Sequence, residues 1–573
     1  MSNKISGSEI LIRALIDAGT DKVFGYPGGS IMPVYDRLYD FSDRLFHYLA
    51  RHEQGAIHAA EGFARATGET GVVIATSGPG AMNLMTGLND ALMDSTPIVA
   101  ITGQVHSSLL GKDGFQESDV VSATLPVTKW ATQVRRPEDI APAVARAFYI
   151  ANSGRPGPVV IDLAKDAQVG LAEYIYEPCT FIRSYDPDPE MSEELLEEAA
   201  TLLDNAQSPL ILAGHGVTIS KAEDELIALA EKGDIPVGCT MLGLSAIPTF
   251  HPLNKGMLGM HGNLGPNINT NKADVILAVG MRFDDRVTGD TSRYAPNAKI
   301  IHIDIDSSEF DKTVKSHLHI HGNAATVLSK LKQKIKENKH TDWNASFDRH
   351  KKVEDERVKN REINASTPDG KMLMGEVINK VSEAFGHDAI LVTDVGQNQL
   401  FSVRYFSFTR PRSVISSGGL GTMGFGLPAA IGAKIGQPDR NVVLFVGDGG
   451  LQMTIEELGM ILEYNVGVKI VLLNNNFLGN VRQWQHLFFN SRYSATPMVN
   501  PDFKTLAAAY GIPAIDVAHR DQLDSAINEM VSTDGAFLLN VNIDEEDMVF
   551  PMTPGGHAVD EILLNATEYY KPV

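Results

Sequence analysis

The chain alternates short, nearly continuous apolar runs with longer segments of helical periodicity. The clearest apolar runs each end in a polar or glycine-rich stretch: GVVIATSGPG, TPIVAITGQ, GPVVIDLAKD, SPLILAGHGV, ADVILAVGMR, KIIHIDID, DAILVTDVGQ, NVVLFVGDGG and VKIVLLNNN. Strands that are apolar on both faces are typical of parallel sheets covered by helices on both sides. The pattern therefore predicts an α/β fold with doubly wound, mainly parallel sheets, in which ligands bind at the carboxyl ends of the strands.

Two polar segments divide this pattern into three parts. Residues 176–194 are rich in proline and acidic residues, and residues 330–370 form a dense mixed-charge run. We interpret the second segment as a solvated helix and connector. Because 573 residues exceed what one hydrophobic core usually holds, the chain is predicted to form three domains. Their predicted limits are 1–175, 190–340 and 370–573.

The first and third parts contain similar small-residue segments. EQGAIHAAEGFARATG (53–68) and GTMGFGLPAAIGAKIG (421–436) both place glycine and alanine at helical spacing and end in glycine. Such spacing allows the backbones of two helices to approach closely. Chance similarity is an alternative because helices of this composition are common, so the pair is only a hint that one domain type occurs twice.

Composition narrows the class of protein. Apolar residues make up 43% and charged residues 21%, as in ordinary soluble enzymes. The formal net charge of −22 argues against nucleic acid or an anionic membrane as a partner. Cys179 and Cys239 are the only cysteines and suit a reducing compartment. The first residues read as an amphipathic helix, and no apolar window approaches a membrane span, so a cytoplasmic protein is expected.

The clearest chemistry lies in VGDGGLQMTIEELGMILEYNVGVKIVLLNNN (446–476). The predicted elements here are a strand at 441–446, a loop at 447–451, a helix at 454–465 and a strand at 468–473. Asp448 and Asn475 would then lie just past the ends of neighbouring parallel strands. With a backbone carbonyl, for which Phe477 is the candidate, they form an oxygen site suited to Mg²⁺.

The glycines of this segment indicate bound phosphates. Gly449, Gly450 and the N-terminus of the following helix offer N–H donors to phosphate oxygens. No G-x-G-x-x-G opens the helix, which disfavours a dinucleotide, and no P-loop motif occurs. Two turns without a ligand are the remaining structural alternative. The GDG motif with paired asparagines resembles the diphosphate and magnesium motif of thiamine-diphosphate enzymes, which indicates the cofactor but not the reaction.

This cofactor needs a carboxylic acid beside N1′ of its aminopyrimidine. Protonation of N1′ favours the imino tautomer, whose nitrogen takes the proton from thiazolium C2. The stretch HEQGAIHAAEGFARATGETGVVIATSGPGAMN resembles the pyrimidine-binding domain of these enzymes, and the resemblance makes Glu53 the activator. Glu61 is the competing carboxylate, and a solvated surface glutamate is the alternative for Glu53.

The same resemblance implies further cofactor contacts. Met423 would be the bulky side chain that bends the cofactor into a V shape, with Gly421 in the same loop, and Gly396 and Gln397 would contact the diphosphate. Many relatives have histidine where this chain has Asn398. In these enzymes the two ends of the cofactor bind domains of different subunits, so a homodimer is the expected minimum and a homotetramer is the alternative.

The order of motifs along the chain identifies a narrower group. From about residue 5 to 560 the chain resembles the catalytic large subunit of the acetolactate synthase (acetohydroxyacid synthase) family. The motifs that carry this resemblance are VFGYPGGSIMPVYD, TGQV, GFQESDVV, SGRPGPVVIDLAKD, GMRFDDRVTG, GLGTMGFG, RQWQ and VFPM.

The middle part resembles the FAD-binding segments of the anabolic members of this family. LGMHGN, AVGMRFDDRVTG and IHIDIDSSEF carry this resemblance. The positions it implies for FAD contacts are His261, Gly262, Arg282, Asp304 and Asn323, with Arg155 reaching in from the first domain. Arginine can pair with a diphosphate in bidentate fashion. The flavin is expected to be structural, without net redox chemistry.

The family's reaction is carboligation. It decarboxylates pyruvate and joins the remaining hydroxyethyl unit, held on the cofactor, to a second pyruvate or to 2-oxobutyrate, in branched-chain amino acid biosynthesis. By resemblance, Trp484 favours the larger second substrate by packing its extra methyl group, which is worth about 1–3 kcal/mol. A core tryptophan is the alternative. Gln116, Lys165, Gly28 and Gly29 are expected to line the same pocket, and the ammonium group of Lys165 would attract carboxylates.

The chain departs from the family pattern at four positions. Ser30 and Gly114 stand where alanine is usual, Ala164 where proline is usual, and Asn480 where methionine is usual. Asn480 lies near the predicted substrate pocket, so substrate preference and inhibitor response are the least determined properties. The residues that bind the cofactor are unchanged by these departures.

Two other functions compete with carboligation. A pyruvate oxidase or 2-oxoacid decarboxylase shares the three-domain plan but does not need both RFDDRVTG and RQWQ. A catalytically inactive thiamine-binding or scaffold protein is disfavoured because Glu53, Asp448 and Asn475 are all present. The flavin-containing family usually has a small regulatory subunit, so the resemblance implies such a partner.

Overall fold

The computed structural model describes residues 4–364, 367 and 370–571. Three six-stranded sheets follow one another along the chain, and every strand pair within them is parallel. Helices flank each sheet. The predicted α/β fold is confirmed, and each apolar run named above contains a strand of one of these sheets.

The strands lie in three consecutive groups. The first group contains β1 (Lys4–Ser6), β2 (Lys22–Gly25), β3 (Phe46–Leu49), β4 (Gly71–Ala75), β5 (Ile98–Gln104), β6 (Trp130–Val134), β7 (Pro158–Ala164) and β8 (Leu171–Glu173). The second contains β9 (Pro209–Ala213), β10 (Val237–Cys239), β11 (Asn254–Met257), β12 (Val275–Val279), β13 (Lys299–Asp304) and β14 (Leu318–His321). The third contains β15 (Ile390–Thr393), β16 (Val414–Ile415), β17 (Val442–Gly447), β18 (Val468–Asn474), β19 (Ala514–Val517), β20 (Phe537–Asn542), β21 (Leu563–Asn565) and β22 (Glu568–Tyr569).

The α-helices connect and cover these strands. Up to residue 288 they are α1 (Gly7–Asp17), α2 (Met32–Asp40), α3 (Glu53–Thr67), α4 (Pro79–Met82), α5 (Met85–Asp94), α6 (Val120–Thr124), α7 (Ile140–Asn152), α8 (Lys165–Val169), α9 (Glu193–Asn205), α10 (His215–Ile219), α11 (Glu223–Gly233), α12 (Leu264–Thr270) and α13 (Asp285–Thr288). The later ones are α14 (Ala324–Lys334), α15 (Thr341–Glu354), α16 (Asn360–Asn364), α17 (Met374–Ala384), α18 (Gln397–Tyr405), α19 (Gly426–Gly436), α20 (Asp448–Met453), α21 (Leu458–Tyr464), α22 (Gly479–Phe488), α23 (Phe503–Ala509) and α24 (Leu523–Ser532).

Strand order shows that the first and third sheets are of one type. Their orders are β3-β2-β4-β5-β7-β6 and β16-β15-β17-β18-β20-β19, and both read 2-1-3-4-6-5 when the strands of each sheet are numbered from one. The middle sheet, β11-β10-β9-β12-β13-β14, reads 3-2-1-4-5-6, the doubly wound order found in dinucleotide-binding folds. The hint that one domain type occurs twice is therefore confirmed by topology.

The two small-residue segments pack against each other as helices α3 and α19. A Cβ atom on Gly62 would lie 2.0 Å from the carbonyl oxygen of Ala429, and one on Gly432 would lie 1.8 Å from that of Ala59. No side chain fits at either glycine without moving the helices. These glycines therefore allow the close contact that joins the first part of the chain to the third.

The mixed-charge segment is helical but only partly solvated. It forms α15, a π-helical turn (Asp355–Lys359) and α16, with Phe347, His350 and Glu354 buried. The Glu354 carboxylate accepts hydrogen bonds from the backbone N–H of Leu264 (2.7 Å) and from Arg404 (2.5 Å), which offsets the cost of burying it. The predicted helix is confirmed, whereas its predicted full solvation is wrong. Residues 365, 366, 368 and 369 of this segment lie outside the described residues.

Between β8 and α9, where every residue is described, the chain forms no helix or strand. Across the described residues, no helix combines the length and the apolar character that crossing a membrane requires.

Candidate functional site

A buried carboxylate stands at the carboxyl edge of the first sheet. Glu53 is the first residue of α3, and only 8% of it is exposed. Asn83 donates a hydrogen bond from Nδ2 to Glu53 Oε2 (2.9 Å). The other oxygen, Oε1, lies beside Gly80, where a Cβ atom would be 3.0 Å away. Glu53 is therefore held at one oxygen, whereas the other faces a position without a side chain.

Four further predicted residues lie at this edge of the first sheet, three of them on loops and Lys165 at the start of α8. Gly28 follows β2, and its Cβ position would be 2.5 Å from Thr76, which in turn adjoins Gly80. Lys165, exposed at the end of β7, donates from Nζ to the carbonyl oxygen of Gly29 (3.2 Å). Gln116 has a positive φ of 59°, and its backbone lies against Gly78. The structure thus places these loops beside one another.

A second group of predicted residues meets at the carboxyl edge of the third sheet. β17 and β18 are neighbours in parallel register, so Asp448 and Asn475 follow adjacent strand ends. They line a cavity of about 60 Å³ that we call the small cavity. Its other lining residues include the predicted Gly396, Gln397, Met423, Gly449, Gly450 and Phe477.

Local structure in this segment differs from the prediction at one point. The predicted loop at 447–451 is wrong, because α20 begins at Asp448 and ends at Met453, before a 3₁₀ turn and α21. A Cβ atom on Gly450 would lie 2.3 Å from Asp394 Oδ1, so the close approach of Asp394 requires glycine here. Packing therefore produces a helix that the two glycines do not predict locally.

Asp448 and Asn475 present oxygens to the small cavity with different partners. Asp448 is 1% exposed, and Asn500 donates from Nδ2 to its Oδ2 (2.7 Å). Burial raises the pKa of the Asp448 carboxyl, and the hydrogen bond from Asn500 opposes that rise. Asn475 accepts from the backbone N–H of Phe477 (3.1 Å) and donates to Gln397 Oε1 (3.4 Å). The described residues contain no cluster of three or more His, Cys, Asp or Glu side chains suited to a metal.

The loop that carries Met423 is held by a residue that sequence reasoning missed. Asp394 is fully buried, and it accepts hydrogen bonds from the backbone N–H groups of Gly424 (3.0 Å) and Gly426 (2.9 Å). Burial raises the pKa of Asp394, whereas these N–H donors oppose the rise. The methyl end of Met423 lies 3.6 Å from the position of a Cβ on Gly449. Asp394 lies two residues before Gly396, but the sequence predicts diphosphate contacts there and not support of a loop.

The two groups remain separate within one chain. Between described residues, no hydrogen bond or ion pair links Glu53 and its neighbours to Asp448, Asn475 or the other residues of the small cavity. The Glu53 carboxylate and the oxygens of the small cavity therefore form two distinct groups, on the first and third sheets.

A much larger cavity, about 630 Å³, is lined by residues from all three parts of the chain, and we call it the large cavity. It opens at the point where the strand order of the middle sheet reverses, between β9 and β12. The loops after these strands approach closely: a Cβ on Gly214 would lie 2.3 Å from the carbonyl oxygen of Gly280, and one on Gly216 would lie 2.6 Å from its Cα. Crevices at such reversal points bind ligands in doubly wound folds.

Most of the predicted middle-domain contacts line the large cavity. They are Arg155, His261, Arg282, Asp304 and Asn323, whereas Gly262 packs its backbone against Leu258 and is not a lining residue. His215, Gly216, Thr240 and Leu242 also line it and were missed, although the GHG loop after β9 gave a weak signal.

The polar lining includes groups that lack protein partners. His261 Nδ1 is buried without a hydrogen bond, and burial lowers the pKa of this imidazole to about 3, so it is neutral. The Arg282 guanidinium makes no hydrogen bond or ion pair with another described residue. Burial raises the pKa of Asp304 to about 7. Arg155 is instead already paired, because its Nη1 lies 2.8 Å from Glu309 Oε1.

Helix α22 connects the two cavities. Asn480 lines both of them, and Trp484, one turn later, lines the large cavity with 37% of its surface exposed. The guanidinium of Arg286 lies 5.9 Å from the centre of the Trp484 ring. Trp484 is therefore a cavity residue rather than a core residue. The oxygen Oδ1 of Asn480 is buried without a hydrogen-bond partner.

Comparison with known proteins agrees with this division of the chain. Three models of thiamine pyrophosphate enzymes match it: the N-terminal TPP binding domain at residues 5–123, the central domain at 196–331 and the C-terminal TPP binding domain at 394–541.

Relatives match over nearly the whole chain. It is 42% identical to the acetolactate synthase large subunit of Lactococcus lactis subsp. lactis (strain IL1403), in an alignment that covers 97% of this chain and 96% of that protein. It is 42% identical to the acetolactate synthase isozyme 2 large subunit of Escherichia coli (strain K12), with 98% and 99% covered. A probable acetolactate synthase large subunit of Methanocaldococcus jannaschii is 43% identical, with 96% and 94% covered. The chain belongs to the acetolactate synthase large-subunit family of thiamine pyrophosphate enzymes.

Proposed function

We propose that this chain is the catalytic subunit of an acetolactate synthase. Two pyruvates give 2-acetolactate and CO₂, and pyruvate with 2-oxobutyrate gives 2-aceto-2-hydroxybutyrate and CO₂, as branched-chain amino acid synthesis requires. The observation that carries the proposal is the pair of half-sites on two sheets of one topology. One presents the buried carboxylate of Glu53, and the other presents the oxygens of Asp448 and Asn475.

Glu53 would hold and move one proton. Bound thiamine pyrophosphate supplies a nucleophilic carbon that adds to the 2-oxo group and accepts the electrons released with CO₂. Because Asn83 occupies Oε2, the Oε1 oxygen of Glu53 is the one that can exchange a proton with a ring nitrogen. Gly80 leaves the approach to Oε1 open, since any side chain there would begin 3.0 Å from it.

The small cavity fits a magnesium ion together with a diphosphate. Its donors are hard oxygens from Asp448, Asn475 and the backbone of Phe477, the ligand type that Mg²⁺ prefers. One carboxylate is enough, because Mg²⁺ usually keeps several waters and binds phosphate oxygens as well. Gly449 and Gly450 line the same cavity. We propose that Gly396, Gln397, Gly421 and Met423 complete the cofactor contacts.

The large cavity fits FAD. Its volume is in the range of cofactor sites. Glycines after β9 and β12 place backbone rather than side chains at its wall. Its lining also contains His261 Nδ1 and the Arg282 guanidinium, neither of which has a hydrogen-bond partner among the described residues. We propose that Arg282 pairs with the FAD diphosphate and that Asp304 and Asn323 bind polar groups of the same molecule. Arg155 would contribute less than predicted, because Glu309 and Asp306 already neutralise it.

Substrates would contact residues from the carboxyl edges of both the first and the third sheet. Lys165 presents an exposed ammonium group beside Gly29, where it would attract the carboxylate of a 2-oxoacid. We propose that Gln116 lies near the same carboxylate and that Trp484 packs against the alkyl group of the second substrate. Both Trp484 and Asn480 lie on α22, so this helix would set the preference between pyruvate and 2-oxobutyrate.

The separation of the half-sites supports a homodimer as the smallest active form. A second copy would place its small cavity opposite the first copy's Glu53, and two such dimers would form a tetramer. Because the relatives are named large subunits, we further propose a small regulatory partner. We also propose the domain limits 1–175, 190–340 and 370–573, and a location in the cytoplasm.

Product analysis tests this function directly. The purified chain is incubated with pyruvate, Mg²⁺, thiamine pyrophosphate and FAD, and 2-acetolactate is measured as acetoin after acid treatment. Acetolactate that disappears when thiamine pyrophosphate is omitted is the expected result. Acetaldehyde or acetyl phosphate as the main product would refute carboligation in favour of a decarboxylase or oxidase.

A further inference from the structure

β18 ends at Asn474, and Asn475 and Asn476 follow it. Asn475 is buried and Asn474 is partly buried, and buried polar side chains need partners. Asn475 faces the small cavity and bonds with Gln397. The other two turn towards a single amide group: Asn500 Nδ2 lies 3.0 Å from Asn474 Oδ1 and 3.1 Å from Asn476 Oδ1. The same nitrogen donates to Asp448 Oδ2 at 2.7 Å, the shortest of the three contacts.

The orientation of the Asn500 amide is determined by its other end. Gln452 Nε2 donates to Asn500 Oδ1 (3.0 Å) and also to the backbone oxygen of Asp448 (3.0 Å). The nitrogen of Asn500 therefore faces Asp448, because the oxygen is already engaged. The other carboxylate oxygen, Oδ1, accepts from the backbone N–H of Gly449 (3.0 Å). Asn500 therefore supplies the side-chain hydrogen bond that holds Oδ2 and limits rotation of the Asp448 carboxylate.

Asn500 also ends the segment that carries α22, which we call the flap (residues 477–500). The two ends of the flap run beside each other: Phe477 pairs with Pro497, Leu478 N–H donates to Thr496 O (3.0 Å), and Met498 N–H donates to Asn476 O (2.8 Å). Asn500 is the point at which this closed flap is bonded to Asp448. Nothing in the local sequence links the two residues, which are 52 positions apart.

We propose that Asn500 is a positioning residue that orients Asp448 for the metal ion and fastens the flap to the metal site. The inference rests on the proposed magnesium and thiamine pyrophosphate site. An outer partner of a metal ligand contributes to affinity by fixing the ligand's orientation, and its loss typically costs 10–100-fold in metal affinity. Metal binding and flap closure would then be linked, because one side chain serves both.

The test compares Asn500→Ala and Gln452→Ala with the matched control Val499→Ala, whose side chain is next to Asn500 but fully exposed. Binding of thiamine pyrophosphate to the full-length protein is followed by calorimetry while MgCl₂ is varied. We expect the half-saturating Mg²⁺ concentration to rise about 10-fold or more in Asn500→Ala and to rise less in Gln452→Ala. It should be unchanged in Val499→Ala. Recovery of full binding at high Mg²⁺ would show that the variant is folded.

A second readout tests the connection to the flap. Arg492 lies within the flap and its side chain is exposed. Because trypsin needs its substrate in an extended conformation, cleavage after Arg492 reports release of the flap from its folded arrangement. Mg²⁺ with thiamine pyrophosphate should slow this cleavage in the wild type and in Val499→Ala, and should do so much less in Asn500→Ala at equal site occupancy.

Three results would overturn the proposal. The first is an unchanged half-saturating Mg²⁺ concentration in folded Asn500→Ala, and the second is a lower one, which would make Asn500 a competitor of the metal. The third is equal protection of Arg492 in Asn500→Ala and wild type. If the wild type itself shows no Mg²⁺-dependent binding of thiamine pyrophosphate, the proposed function fails instead.

Discussion

The replacement Glu53→Gln removes proton transfer by this side chain while keeping its shape and its hydrogen bond from Asn83. Glutamine has the shape of the glutamate side chain, and Asn83 donates to the oxygen at the Oε2 position (2.9 Å). That donor requires the amide oxygen of the introduced glutamine to take the Oε2 position, which places the amide nitrogen at the Oε1 position. The variant can still donate a hydrogen bond to a ring nitrogen, but it cannot give up or take a proton there.

The expected loss is the contribution of general acid–base catalysis alone. That contribution is typically about 10²–10⁴-fold in turnover, which corresponds to about 3–5 kcal/mol of activation free energy at 1.36 kcal/mol for each factor of ten. Folding and the affinity for thiamine pyrophosphate should change little, because the hydrogen bond from Asn83 is preserved and Gly80 still leaves space.

Glu61 provides the matched control on the same helix. It is fully buried, and its Oε1 lies 2.9 Å from His58 Nδ1. Burial and the neighbouring Asp90 raise the pKa of Glu61 well above its usual range. Glu61→Gln keeps the shape of a buried side chain outside the proposed cofactor site, and turnover should stay within a few-fold of wild type.

The assay is acetolactate formation at saturating pyruvate, Mg²⁺, thiamine pyrophosphate and FAD, with cofactor binding measured separately by calorimetry. Turnover of Glu53→Gln within about three-fold of the Glu61→Gln value, at full cofactor occupancy, would refute the assignment of Glu53.

Three further predictions address the metal, the substrate pocket and the interface between α3 and α19. Asp448→Ala should raise the half-saturating concentrations of both Mg²⁺ and thiamine pyrophosphate, and unchanged values in a binding titration would refute the metal site. Trp484→Leu should lower the preference for 2-oxobutyrate over pyruvate by up to about 1–3 kcal/mol, as the product ratio in a mixed-substrate assay reports; an unchanged ratio would remove Trp484 from the pocket. Gly432→Ala should destabilise the protein by about 1–3 kcal/mol, because its Cβ would lie 1.8 Å from Ala59 O. The control Gly555→Ala meets no atom within 4 Å, and an equal melting temperature for the two variants would contradict the packing argument.

Short strands show why part of the fold was not predictable from the chain. Central strands such as β5 and β18 are seven residues long and mostly apolar, so the sequence predicts them. β10 has three residues and β16 has two, and they are strands only because a neighbouring strand offers hydrogen-bond partners. A window of two or three residues has no periodicity of its own, so only the sheet defines such strands.

The site divides in the same way. Asp448 and Asn475 are recognisable because they follow neighbouring strands with local spacing. Glu53 is recognisable because its stretch resembles the pyrimidine-binding domain of thiamine-diphosphate enzymes. Asn500 and Asp394 are not, because their roles depend on contacts with residues 52 and 30 positions away. The prediction of a loop at 447–451 is wrong for a similar reason. The close approach of Asp394 to Gly450 is a tertiary contact that the local sequence does not show.

The sequence by itself determined which segments are buried strands, which side chains could bind a metal or move a proton, and the family to which the chain is similar. Local patterns suffice for this, because burial and side-chain chemistry leave a signal within a few residues. Only the tertiary structure decided that Asn500 meets Asp448, that α3 packs on α19, and that the large cavity opens where β9 and β12 adjoin. These contacts depend on strand order and helix approach, which arise from the packing of the whole chain.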